Sequence, residues 1–188
     1  MTNTSLLPFP VPLPAQIYLV VGQHALSEKM LQLIAALSLK QRLTVLDCGN
    51  RSNMYAVAKL IRPFTDDPVN VMNHIRLSRA FTCYQVLAML EAVAANPPGE
   101  PLVILDLLAT FLDEDVKLKD SQHLLQRSIA CLRRLSQAAP VVISIRPTPA
   151  ITQERAILLE DLRANASVYW EEPLPLPAGY GLQPALFG

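Results

Sequence analysis

The chain alternates short apolar runs with longer stretches in which apolar residues recur every three or four positions. The runs are IYLVV at 17–21, LTVLDC at 43–48, HIRLSR at 74–79, LVILDLL at 102–108, VVISI at 141–145 and SVYW at 167–170. Helical stretches fall between them at 25–39, 53–62, 82–96, 119–138 and 151–165. Short continuous apolar runs mark strands buried on both faces, and crossover helices are what cover both faces of a parallel sheet. The pattern therefore predicts an α/β fold in three layers, a mostly parallel sheet flanked by helices.

The punctuation between elements agrees with this reading. NPPGEP at 96–101 ends one helix with residues that cannot continue it and leads into the central run LVILDLL. Within 119–138, Leu124, Leu125, Ile129, Leu132 and Leu135 form one stripe, which leaves Arg127, Arg133 and Arg134 as a solvated face. Pro8, Pro10, Pro12 and Pro14 at alternate positions favour an extended arm that cannot join the middle of a sheet or helix. Residues 1–15 are thus expected to be a Pro-rich arm, 16–171 a single α/β domain, and 172–188, aperiodic and rich in proline and glycine, a tail.

Composition narrows the function classes. A chain of 188 residues holds one domain with one sizeable core. Its 16 acidic and 16 basic residues balance, which argues against a polyanion-binding surface spread over the whole molecule. Cys48, Cys83 and Cys131 are far apart and form no C-x-x-C pair, as expected of free thiols in a reducing compartment rather than a disulfide framework or zinc site. His24, His74 and His123 have no metal-ligand spacing, and no metal site is expected. The α/β-hydrolase signature G-x-S-x-G is absent. The N-terminal stretch lacks a basic region, and no run approaches the roughly 18 apolar residues of a membrane span, so a cytoplasmic protein is expected.

The turn after the first run, VVGQHALSEKM at 20–30, occupies the place where a nucleotide-binding protein carries its phosphate loop. A working GxxxxGK[ST] loop needs glycines that let backbone amides turn onto the phosphates, a lysine for their charge and a hydroxyl for magnesium. Counting from Gly22 puts Ser27 at the second glycine and Glu28 at the lysine, where a carboxylate repels a triphosphate. Lys29 comes one residue late, about 100° around a helix. Asp106, at the end of LVILDLL, has the form of a magnesium-orienting acid, and equally that of a loop-capping residue. Asp47 ends the second run with no glutamate beyond it to activate a water.

NVMNHIRLSRAFTCYQVLAMLE at 70–91 resembles the segment of RecA/RadA-type recombinase ATPase cores in which a strand ends in Arg-Ala-aromatic and leads to a glutamine and a leucine-rich helix. Ile75, Arg79, Ala80, Phe81, Gln85 and Leu90 carry the likeness, and LVILDLLATFL, the long helix after it and VVISIRP continue the order. Element order matches over 17–146 and residue similarity over 70–146. The resemblance implies a RecA-like P-loop NTPase core, with its polar sensor near Ser144 to Arg146. The departures are as informative: the phosphate-loop lysine and hydroxyl are missing, and Gly49 and Asn50 replace the acid after the second strand. The segment standing for the first DNA loop, LDEDVKLKD at 112–120, is net acidic and would repel a phosphate backbone.

The expectation is a degenerate, non-catalytic relative of that core, acting as an accessory or interaction module in DNA recombination, repair or replication, without a cofactor. DNA contact is expected to be indirect, through a recombinase-family or other protein partner. QPALF near the C-terminus resembles the short peptides that dock on bacterial sliding clamps, with Gln183 anchoring by hydrogen bonds and Leu186 and Phe187 filling an apolar pocket. The same residues can instead fold back onto the domain. Two alternatives stand beside this reading. One is a weak or partner-completed ATPase using Lys29, Asp106 for magnesium and Asp47 to orient water; the other is a structural subunit of a homo-oligomer joined through the Pro-rich arm.

Overall fold

The computed structural model describes residues 12–147 and 153–173. Six strands form one sheet: β1 (Ile17–Val21), β2 (Leu43–Asp47), β3 (Ile75–Arg79), β4 (Leu102–Leu105), β5 (Val141–Ile145) and β6 (Val168–Glu171). All pair in parallel, in the order β3-β2-β4-β5-β1-β6. The helices are α1 (Ser27–Ser38), α2 (Met54–Ile61), α3 (Pro68–Met72), α4 (Cys83–Ala95), α5 (Leu118–Ser136) and α6 (Ala156–Ala164).

Alternation along each strand sorts the core into two layers. Ile17, Leu19 and Val21 of β1 pack with Leu46, Ile104 and Ile143 against α4, α5 and α6. Tyr18 and Val20 pack with Val45, Val103, Leu105 and Val142 against α1 and Val57 of α2. Every residue of β1, β2, β4 and β5 is buried, so the continuous apolar runs have the physical cause the sequence suggested. Burying a single Val, Leu or Ile side chain contributes about 1.5–3 kcal/mol, and these central strands supply the middle layer on which the helices pack. The edge strands differ: β3 is exposed at Arg76, Leu77 and Arg79, which explains why IRLSR interleaves arginines with apolar residues.

Three boundaries depart from the sequence pattern. The fourth run, expected as a strand over 102–108, ends at Leu105; Asp106 turns left-handed at φ 55°, and Leu107–Thr110 form a 3-10 turn. Leu107 and Leu108 are apolar because that turn is buried against α4 and α5. The first helix, expected from residue 25, starts at Ser27 after a 3-10 turn over Gln23–Leu26. The short α3 interrupts the stretch before β3; Pro68 sits in its first turn and Asp67 Oδ1 accepts from Asn70 N at 3.0 Å. Among the described residues no helix is long and apolar enough to cross a membrane.

The order of strands decides where a site can form. The chain runs from β1 to β3 at one edge, then returns through β4 and β5 to β6 beyond β1. The helix after β2 covers one face and the helix after β4 the other, which opens a crevice beyond their carboxyl ends.

Candidate functional site

Asp47 and Asp106 stand at the carboxyl ends of neighbouring strands, and Asp106 lines the crevice. Asp47 stands opposite Leu105 on β4 and Arg79 on β3, and Asp106 follows directly after Leu105. Both carboxylates are buried, at 0% and 1% exposure. A buried carboxylate is tolerated only with partners, and each has several.

Asp47 is wrapped by the chain that follows it. Its Oδ1 accepts from Arg51 N at 2.8 Å and Gly49 N at 3.3 Å, and its Oδ2 accepts from Ser52 N at 3.0 Å and Ser52 Oγ at 2.6 Å. Arg79 Nε lies 3.3 Å from Oδ2. Burial pushes the Asp47 carboxyl up. The Ser52 hydroxyl, the backbone N–H groups of Arg51 and Ser52 and the Arg79 charge outweigh it, so the group titrates below the ordinary carboxylate range.

Asp106 is held by residues far away in sequence. Its Oδ2 accepts from Arg51 Nε at 3.2 Å, and Arg146 Nε, 3.0 Å from Oδ2, donates to Oδ1 at 3.4 Å. Its backbone N–H donates to Ser144 Oγ at 3.1 Å, which gives the polar residue of β5 a partner in an otherwise apolar strand. Gly49 lies against it: a Cβ added there would sit 2.5 Å from Asp106 Cβ and 2.6 Å from Oδ2, closer than real Cβ atoms approach. Glycine at 49 is required by this close approach.

The turn over Gly22 to Lys29 is closed on itself. His24, Ala25 and Leu26 take left-handed backbone angles with φ of 52°, 54° and 54°, a conformation costing roughly 1–2 kcal/mol per residue for side chains with a Cβ. Burial of Ala25 and Leu26 offsets part of that. Leu26 lies so close to Gly22 that a Cβ added there would stand 2.3 Å from Leu26 Cδ2, and the leucine would have to shift. Ala25 N donates to Gly22 O at 3.0 Å, and Ser27 N donates to His24 O, so these amides are spent within the loop. The Ser27 hydroxyl also turns back, to His24 O at 2.6 Å. Glu28 is exposed in the first turn of α1, where a negative charge favours the helix dipole. Lys29 Nζ pairs with Glu172 and lies 5.5 Å from the Trp170 ring centre. The depression over this turn is lined by two carboxylates, Glu28 and Glu172, and one ammonium, Lys29.

The structure therefore gathers the candidate residues into two places. Asp106 lines the crevice at the ends of β2 and β4 and Asp47 is buried beside it, whereas Gly22, Ser27, Glu28 and Lys29 lie at the ends of β1 and β6. Gln183, Leu186 and Phe187 lie outside the described residues. The crevice is a cleft of about 490 Å³, lined by Arg79, Phe81, Asp106, Thr110 and Arg146 among others. Arg51, Arg79 and Arg146 are the residues that reading the sequence for this site did not single out as partners of the acids. Arg51 follows Asp47 by four positions and was open to inspection. The Arg146–Asp106 pair spans 40 residues and emerges only once β5 is known to lie beside β4.

Of the remaining candidates, His74 Nδ1 lies 2.8 Å from Ser38 O and is structural, whereas His24 and His123 are exposed. Among the described residues no group of three or more His, Cys, Asp or Glu side chains is placed to hold a metal ion. The acidic segment after β4 is strapped down by Arg155, which donates to Phe111 O at 2.8 Å and Val116 O at 2.6 Å. Fold and site together define an α/β parallel-sheet protein whose two strand-end acids are neutralised by its own arginines. No family model matches the chain, and no curated protein matches it.

Proposed function

We propose that this protein is a RecA-like accessory module that works without hydrolysing ATP, through protein contacts in DNA recombination, repair or replication. One observation carries the non-catalytic half of the reading: each group that would handle a triphosphate is already engaged inside the chain. Lys29 is paired with Glu172, Asp106 with Arg51 and Arg146, and Asp47 with Ser52 and Arg79. Magnesium binding at Asp106 would have to displace two guanidinium groups, and phosphate binding by Lys29 would have to break its ion pair. Glu28 adds a repelling charge at the loop itself.

The pathway half rests on the resemblance of residues 70–146 to recombinase cores, and on a strand order that keeps Asp47, Asp106 and Gly22 at carboxyl ends of one parallel sheet. The C-terminal Gln183, Leu186 and Phe187 supply the contact to a sliding clamp in this reading, and the net acidic 112–120 segment makes DNA contact indirect. A peptide covering 178–188 tests the clamp contact: saturable binding that the Leu186→Ala, Phe187→Ala pair abolishes supports it, and equal binding by that double variant rejects it. The partner-completed ATPase is the competing reading, and it requires hydrolysis to appear when a recombinase-family partner is added.

A further inference from the structure

The three arginines around the crevice meet the acids in one manner. Arg51, Arg79 and Arg146 each use Nε, at 3.2, 3.3 and 3.0 Å, so the inner edge of each guanidinium faces a buried carboxylate. A guanidinium carries five N–H donors, and Nε supplies only one of them. Among the described residues, Arg79 Nη2 has one further partner, Ser52 Oγ at 2.9 Å, and the terminal nitrogens of Arg146 have none. Arg79 and Arg146 both line the cleft, with side chains 39% and 38% exposed. The buried acids thus act as anchors that fix two donor forks toward open space.

A second observation points to a ligand: Phe81, 71% exposed, lines the same cleft and offers an aromatic face. Asp47 and Asp106 against Arg51, Arg79 and Arg146 leave one positive charge, and Asp113 is the other carboxylate lining the cleft. Bulk charge is therefore balanced, and selectivity must come from directed donors.

We propose that this cleft binds a small phosphate monoester bearing a planar ring, a nucleoside monophosphate in class. Its phosphoryl oxygens meet the outer edges of Arg79 and Arg146, and its ring lies on Phe81. Guanidinium forks match phosphoryl oxygens two at a time, and a volume of about 490 Å³ suits a ligand of this size. The site is separate from the Gly22–Lys29 turn and needs neither Lys29 nor a divalent cation.

Calorimetric titration of the full chain in EDTA, with adenosine monophosphate, inorganic phosphate and adenosine as probes, tests it. Saturable binding in the order monophosphate, phosphate, adenosine is expected. Arg146→Gln should weaken the monophosphate by about tenfold or more, and Arg146→Lys, which keeps the charge but loses the fork, nearly as much. Phe81→Ala, at an exposed position, should weaken the monophosphate while leaving phosphate unchanged. Arg76→Gln, on the same strand as Arg79 but paired with Glu100 away from the cleft, should bind as the parent does. No saturable binding of either phosphate probe overturns the proposal, as does binding that Lys29→Ala removes and Arg146→Gln and Arg146→Lys leave intact. Neither result bears on the non-hydrolysing reading, which fails only on magnesium-dependent binding or hydrolysis of ATP.

Discussion

Lys29 and Glu172, 143 positions apart in the chain, form an ion pair beside the Trp170 ring, tying the start of α1 to the end of β6. Both side chains are about one-third exposed, 31% and 29%, so solvent screens the pair and its contribution is at most about 1 kcal/mol. Glu172→Gln should lower Tm by no more than about 2–4 °C in thermal unfolding. It should also fail to create ATP hydrolysis, because freeing Lys29 leaves Asp106 still paired with two arginines.

Converting the turn to a phosphate-loop sequence by Ser27→Gly, Glu28→Lys should not restore nucleotide binding. Leu26 still lies against Gly22, and the left-handed backbone of 24–26 keeps two amides bonded within the turn. Losing the acid in the first turn of α1 and gaining a cation there should together cost about 0.6–2 kcal/mol, about 0.3–1 for each charge. A titration of the double variant with Mg-ATP checks this, and tight binding would mean that the loop geometry follows its sequence more freely than its packing implies.

Gly49→Ala should be the most damaging single methyl in the crevice. Its Cβ would meet Asp106 at 2.5 Å, and the carboxylate cannot retreat without releasing Arg51 or Arg146. Overpacking of this kind costs about 1–3 kcal/mol, equivalent to a Tm lower by about 2–12 °C.

Asp47 makes stability depend on acid. Its pKa in the folded protein lies below the unfolded value of about 3.9, so its contribution is complete above that value and is lost as pH falls through the folded pKa. Asp47→Asn should cost about 1.5–3 kcal/mol at neutral pH, since hydrogen bonds to a charged acceptor are being weakened. Urea unfolding of parent and variant across pH should show that gap constant from pH 5 to 8 and narrowing below about pH 4.

The thiols should respond to packing. Burial, reinforced by the charges of Asp47 and Asp106, pushes the Cys48 thiol far up, and burial also raises Cys83 and Cys131. In a mild alkylation time course, Cys131, the only one partly exposed, should react first, and Cys48 and Cys83 only as the protein unfolds.

How far the sequence carried the fold depends on what each segment had to encode. Ile17–Val21 and Val141–Ile145 were legible because they are buried on both faces and therefore apolar throughout. Leu107 and Leu108 misled, since a buried 3-10 turn demands the same residues as a strand, and only the left-handed Asp106 separates the two. The cap-and-proline signal of Asp67-Pro68 announced α3 and was available to be read. The site was half visible: Asp47 and Asp106 stood out as strand-end acids, whereas their arginines come from β3, from the turn after β2 and from the end of β5. Periodicity carries no information on which strands are neighbours, and neighbourhood is what turned two candidate catalytic acids into anchored ion pairs.

Thermal unfolding of the full chain with Mg-ATP, against magnesium alone and against ATP in EDTA, reads directly whether the strand ends are closed to a triphosphate. A protein that binds Mg-ATP gains about 2.7 kcal/mol at one hundred times the dissociation constant, a rise in Tm of about 5–11 °C. The engaged Lys29, Asp47 and Asp106 predict no magnesium-dependent rise and no phosphate release. A magnesium-dependent rise that Lys29→Ala abolishes would contradict the account.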